Sequence, residues 1–373
     1  MTDVAPHIRA VNSMARIHML RLLAIAPVLI AAVVNTGYQY LLALDVNDGQ
    51  SAGDWRDGII QSLGAKYAEP GIYDMVAAGL VHVLPVFAMA ILAAGVWERI
   101  FAAGRERRFD IGIVYTALLF TMLMPPGVHL FHIVFGMSFA IVFAKAIFGG
   151  EGKSFLNPAL VGAAILQVSF PTALTDHPIW SGISGYAGTR LLASYHQEGA
   201  GSLVWSGVDW WGAFLGNAPG LIGTTSVLAI IIGGVVLVYG GIASWRLLAG
   251  QVIGVVLVAT LCNMMGGGIL DMSWYWHVVL GGFAFGAVFV ATDPASSAAT
   301  NTGRWVQGLL IGALVVFLRV ANPSHPDGVI PVLLLASMLA PLIDHVVMWF
   351  NIRRRAQGYG VGYGAGNRVG HGR

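Results

Sequence analysis

The chain has 373 residues, 57% hydrophobic and 10% charged, with a mean hydropathy of +0.74 and a formal charge of +2 from 20 basic and 18 acidic side chains. A soluble domain is about 45–50% apolar and about 25% charged, so these proportions exclude an ordinary cytosolic globule, a disordered chain and a nucleic-acid binder. The single cysteine, Cys262, excludes an intrachain disulfide and any cysteine-ligated zinc or iron–sulfur cluster built by this chain alone.

A bilayer core of about 30 Å takes roughly 20 apolar residues as helix, because unpaired backbone groups are too costly in lipid. Residues 1–18 are polar and basic and read as a cytoplasmic N-terminal segment, not as a cleavable signal peptide. Spans are predicted at 19–44 and 74–97, joined by an outer loop, 45–73, that carries Asp45, Asp48, Asp54, Asp57 and Glu69. A short apolar segment at 111–124 stops at Pro125-Pro126, a full span covers 128–148, and a second short segment at 157–170 stops at Pro171. An outer loop rich in Gly, Ser and Trp occupies 171–221. Full spans then follow at 222–242, 246–266, 274–291, 304–321 and 328–350. The two short segments read either as half-helices around a buried site or as tilted spans in a thin bilayer. The membrane domain ends near 355, and 356–373, with its alternating glycines from Gly358, reads as a disordered tail.

With ten crossings and the N-terminus inside, sixteen of the twenty basic residues fall on the cytoplasmic side; only Arg56, Lys66, Arg190 and Arg319 fall outside. Basic residues are retained in cytoplasmic loops, so both termini are expected inside. Gly136–Phe143 and Gly282–Phe289 share Gly, Phe, Val and Phe at an offset of 146 residues. The fold class that follows is an all-α polytopic membrane protein of about ten transmembrane helices in two related five-helix halves.

Ionisable groups are costly in a membrane and point to function. Asp293, in Ala291-Thr292-Asp293-Pro294, and Asp344, in Ala340-Pro341-Leu342-Ile343-Asp344, are the candidate ion-coupling carboxylates. The competing reading of Asp293 is a turn cap; that of Asp344 is an ion pair or interfacial placement beside Arg353. His82, His129, His132 and His277 read as packing residues, and Arg319 as a side chain reaching to the headgroups. In the loop from Phe148 to Pro158, Asn157-Pro158 opens a short helix whose first amides can meet an anion or the edge of a cofactor.

Phe148-Gly149-Gly150 through Asn157-Pro158-Ala159-Leu160, the run from Trp274 to Gly286, Ala291-Thr292-Asp293-Pro294, Asn301-Thr302-Gly303, Arg319 to Pro323 and Ala340 to Asp344 resemble the NqrB/RnfD family. That family comprises the B subunit of Na⁺-translocating NADH:quinone oxidoreductase and the D subunit of the Rnf ferredoxin:NAD⁺ oxidoreductase. The matches run in order from about residue 20 to 355. The resemblance implies a membrane subunit of the bacterial inner membrane, distantly like urea transporters in fold. It implies an FMN joined through its phosphate to a threonine of the outer loop, and in the first complex a non-covalent riboflavin. It also implies partner subunits that carry iron–sulfur and nucleotide sites, and electron flow coupled to Na⁺ or H⁺ movement.

Two positions depart from the family pattern. An ungapped alignment places Arg190 where the flavin-bearing threonine stands, with Thr189 one residue earlier. Either Thr189 is modified through a one-residue shift, or no FMN is attached; Arg190 would still bind a phosphate ionically. Thr225, in Gly223-Thr224-Thr225-Ser226, is a further candidate, as is Asn157. Before Phe148-Gly149-Gly150, where the family has an acidic side chain, the chain has Lys145-Ala146-Ile147. The alternatives to a flavin-dependent subunit are a flavin-less anchor or docking subunit of another redox assembly, and a urea-transporter-like solute channel. No catalytic residue and no metal ligand is assigned.

Overall fold

The structure, a computed structural model, describes residues 14–46, 54–105, 110–150, 152–171, 192, 195, 209–322 and 327–362. Among these residues all regular structure is helical. Among the described residues five helices are long and apolar enough to cross a membrane: Arg16–Asp45, Ile72–Gly104, Trp245–Met265, Asn301–Ala321 and Val329–Arg355. Four apolar helices are shorter: Ile113–Met122, Leu130–Ala146, Pro158–Ser169 and Val227–Tyr239.

The first half runs through α1 (Met14–Val46), the small α2 (Trp55–Ser62), α3 (Ile72–Gly104), α4 (Ile113–Met122), α5 (Leu130–Phe139) and α6 (Pro158–Ser169). α2 forms in the outer loop because Asp54 and Asp57 close a capping box. α6 starts where local chemistry dictates: the Asn157 side chain accepts the Ala159 amide at 3.0 Å, and Pro158 occupies the first helical turn, where its missing N–H costs nothing.

After the short α7 (Trp210–Leu215), the second half contains α8 (Val227–Tyr239), α9 (Trp245–Met265), α10 (Trp274–Val279), α11 (Phe283–Phe285), α12 (Asn301–Ala321) and α13 (Val329–Gly362). α13 continues to Gly362, so helix covers the first residues assigned by sequence to the tail; residues 363–373 lie outside the described residues.

Three segments expected as full spans are shorter or interrupted. The 128–148 segment is a helix from Leu130 to Ala146 whose last part, Ala140–Ala146, is π-helical. The 222–242 segment is helical only from Val227. The 274–291 segment breaks after Val279, where Gly281 has φ +73°, and resumes as α11 and a π turn at Gly286–Val290. Hydropathy could not show the break, because Leu280, Gly281 and Gly282 are as compatible with lipid as a helix is.

The two π turns begin at Ala140 and Gly286, the same offset of 146 residues as the sequence repeat. π turns are rare and concentrate at functional sites, and these two recur at one register. The halves also stitch together by backbone. Ile222 N–H donates to the Met124 carbonyl at 3.0 Å and Gly223 N–H to the Met122 carbonyl at 2.8 Å. The acceptors lie at the C-terminal end of α4 and just beyond it, where helix carbonyls lack an intrahelical partner, and the donors lie in the turn before α8.

Close helix crossings rest on missing side chains. Where α9 crosses α12, a methyl added at Gly250 would lie 3.0 Å from the Trp305 carbonyl oxygen, and one at Gly254 would lie 3.0 Å from the Ala313 nitrogen. Gly308 and Gly312 face them, a small-residue seam of the kind that lets membrane helices touch backbone to backbone.

Candidate functional site

The end of the bundle at which α1 begins holds a cavity of about 250 Å³ lined by both halves. α1 contributes Ile17 and Arg21, and the start of α4 contributes Gly112, Tyr115 and Thr116. Lys145 comes from the first π turn, Ser154 and Asn157 from the loop before α6, and Asp293, Pro294 and Ala295 from the turn after the second π turn.

Asp293 is the hub of its polar contacts. Its Oδ1 pairs with the Arg21 guanidinium at 2.9 Å, and its Oδ2 accepts from Asn157 Nδ2 at 3.0 Å. Its Oδ1 also accepts the Ala295 amide at 3.3 Å, so the turn-cap reading and the site reading describe the same carboxylate. Arg21 in addition stacks over Tyr115, 5.3 Å from the ring centroid. Asn157 serves both halves at once, since its Oδ1 caps α6 while its Nδ2 reaches across to Asp293.

On the adjoining wall the Lys145 ammonium, 4% exposed, binds Asp110 Oδ2 and stands 3.4 Å from Glu98 Oε2. Asp110 is positioned by the Gly112 amide, which donates to its Oδ1 at 2.8 Å. The sequence carries one signal for this cluster, a lysine inside an apolar run. The charge rule counts that lysine among the cytoplasmic positives, whereas the fold makes it a buried partner.

Asp344 does not line this cavity. Its two oxygens accept the Ala299 amide at 2.6 Å, the Thr300 amide at 3.1 Å and the Thr300 hydroxyl. Thr300 in turn caps α12 by accepting the Gly303 amide at 3.0 Å. Both candidate coupling carboxylates thus act on one loop, 291–300: Asp293 holds its beginning to α1 and α6, and Asp344 holds its end to α13.

Thr225 lies at another site, reached from the far end of α1, where Asn35 Nδ2 donates to the Ala218 carbonyl at 3.2 Å. Ala218, Thr224, Thr225, Gly281, Gly282 and Asp327 surround a cavity of about 20 Å³, room for about one water. Here Arg319 departs from the headgroup-seeking placement expected of it, because it is 0% exposed. Its guanidinium donates to the His277 and Leu280 carbonyls at 2.6 and 2.8 Å and pairs with Asp327 at 3.0 Å. The Asp327 carboxylate accepts the Gly282 amide at 3.0 and 3.1 Å. A cation meets the carbonyl end of α10 and an anion meets the amide preceding α11, each matching the helix dipole. The broken span is held open by an ion pair that hydropathy does not reveal.

A third polar cluster fixes α2 beneath α1 and α3. Tyr40 donates to Asp57, its ring lies 4.7 Å from that of His82, and Arg56 donates to the Val128 carbonyl at 3.3 Å. Burial pushes the Arg56 guanidinium below its ordinary pKa, and the carboxylates of Asp54 and Asp57 act in the opposite direction. Thr189 and Arg190 lie outside the described residues.

The sequence pattern of the NQR2, RnfD, RnfE family matches residues 1–353. The chain is 41% identical over 360 residues to the B subunit of the Na⁺-translocating NADH-quinone reductase of Azotobacter vinelandii, covering 95% of this chain and 89% of that protein. It is 39% identical to the subunit of the same name from Stutzerimonas stutzeri over 362 residues, and 39% identical to that from Yersinia pestis over 369 residues, with the same coverage in each case.

Proposed function

The chain belongs to the NQR2, RnfD, RnfE family and is a multi-pass protein of the bacterial inner membrane, and on that premise we propose that it is the membrane subunit of a Na⁺-translocating NADH:quinone reductase. In this reading it passes electrons between partner subunits that carry the iron–sulfur and nucleotide sites, and it couples their flow to cation movement. The polypeptide crosses ten times with both termini cytoplasmic. The Arg21 end of α1 then faces the cytoplasm and the Arg319 end faces out.

The observation that carries the reading is the cavity shared by the two halves, where Asn157 of one half meets Asp293 of the other across 3.0 Å. A planar redox group, a quinone ring or the edge of a flavin, suits its volume and its hydrogen-bonding wall of Asn157, Ser154 and Thr116. A phosphate does not suit it, because Arg21 is matched by Asp293, and Lys145 by Asp110 and Glu98. The small cavity at Thr225 takes a water-sized group only. We therefore assign the phosphate-bearing FMN to the outer loop at Thr189 and Arg190, and the quinone to the cavity at Asn157. Bound flavin would supply one-electron steps between carriers; this chain supplies position and electrostatics. Asp293 and Asp344 serve coupling by setting the conformation of the loop they share.

Intact mass of the purified chain, with ultraviolet fluorescence in a denaturing gel, tests the flavin assignment. One fluorescent adduct mapping to Thr189 is expected. An unmodified mass, with no flavin released on denaturation, rejects it in favour of a flavin-less docking subunit.

A further inference from the structure

Lys145 is the one cation of the cavity that the reading above leaves without a role. It sits on the first π turn, buried, yet lines the cavity. Its ammonium is held between Asp110 and Glu98, whose side chains are 18% and 15% exposed. The two carboxylates therefore lead from the buried nitrogen toward the end of the bundle. The ammonium and its two carboxylates thus form a charge-assisted hydrogen-bonded chain between the cavity and the end of the bundle. Arg21 cannot do the same work, since a guanidinium does not release its proton. His18 of α1 lies within electrostatic reach of Asp110 and Lys145.

We propose that Lys145 is the proton donor to a quinone reduced in this cavity, with Asp110 and Glu98 as the route by which it is resupplied. The proposal rests on the assignment of the quinone to the cavity. Each quinone takes two electrons from the carriers of the partner subunits and two protons. An Nζ–H bond of Lys145 breaks as an O–H bond forms on a quinone oxygen, and the neutral amine then takes a proton from water at the partly exposed carboxylates. A second passage of the same kind completes the quinol.

The test uses the assembled complex with NADH and ubiquinone-1. Lys145→Arg keeps the charge and the ion pairs but does not release its proton. Ubiquinone-1 reduction is expected to fall about a hundredfold, the scale of a lost general acid, with unchanged flavin content and affinity for ubiquinone-1. In Lys145→Ala, added methylamine is expected to restore part of the rate, and the restored rate should show a larger solvent deuterium isotope effect than the wild type. A wild-type rate and isotope effect in Lys145→Arg overturn the proposal and leave the quinone assignment standing. The assignment itself fails, and the proposal with it, if Ser154→Trp, which fills the cavity, leaves ubiquinone-1 affinity unchanged.

Discussion

Arg21 and Asp293, 272 residues apart in the chain, meet at 2.9 Å. The pair ties the first long helix to the turn after the second π turn, and Asn157 completes it from the start of α6. Both charged side chains are nearly buried, at 13% and 11% exposed, so the pair is screened little by solvent. Removing either partner strands the other charge.

Asp293→Asn is expected to destabilise the assembled subunit by about 2–3 kcal/mol, because an unpaired guanidinium in a partly dry site costs more than the pair contributed. The double variant Arg21→Gln/Asp293→Asn should recover part of that loss. Thermal unfolding in detergent across the four proteins of the cycle measures the coupling; strictly additive losses would mean the two side chains do not interact.

Asp344→Asn replaces an acceptor-only carboxylate that receives two amides and a hydroxyl. The variant amide keeps one acceptor oxygen, so the loop end at Ala299 and Thr300 should loosen at a cost of about 1–2 kcal/mol. Hydrogen exchange at residues 298–303 should rise, while the Arg21 end of the same loop keeps its protection. If both carboxylates govern coupling through loop 291–300, Asp293→Asn and Asp344→Asn each lower the cations moved per electron. Full pumping in both variants rejects that role.

Arg319→Met leaves Asp327 beside the helix break without its cation. A loss of roughly 3–5 kcal/mol is expected, whereas Arg319→Met/Asp327→Leu, which removes both charges, should be far milder. Yield of folded subunit and its unfolding midpoint compare the two.

Gly312→Leu should block the α9–α12 crossing, since even a methyl there runs into the Gln251 carbonyl oxygen and lies 2.7 Å from the Val255 nitrogen. The expected outcome is loss of assembled subunit, whereas Gly58→Ala, where a methyl meets nothing within 4 Å, should assemble normally. Gel filtration of the two variants in detergent checks the contrast.

Thr189→Val should abolish any covalent flavin adduct, with the intact mass falling to that of the bare chain. Arg190→Ala should leave the adduct in place if Thr189 carries it. An adduct that survives in Thr189→Val rejects Thr189 as the attachment point.

Local rules make much of the fold legible. The start of α6 follows from Asn157-Pro158, and the long helices α1, α3, α9, α12 and α13 from apolar runs, whereas α2 lies in a stretch that reads as loop. The repeat at an offset of 146 residues is legible too, and the π turns recur at that same offset. Of the candidate site, Asn157 and Asp293 stand out by residue type and place; that they touch does not. Lys145 and Arg319 read as cytoplasmic-side and headgroup charges because hydropathy counts a charge without knowing its partner.

By itself, then, the sequence determined a helical membrane chain, the positions of its apolar segments and the few polar residues worth suspecting, because each of these depends on neighbours within a few helical turns. Tertiary structure alone decided that the 274–291 span breaks, that Arg319 and Asp327 close the break, and that Arg21, Asn157 and Asp293 share one cavity. A buried charge is tolerated only where an opposite charge and hydrogen-bond partners surround it. Those partners come from segments far apart in the chain, so they can be identified only after the helices have packed.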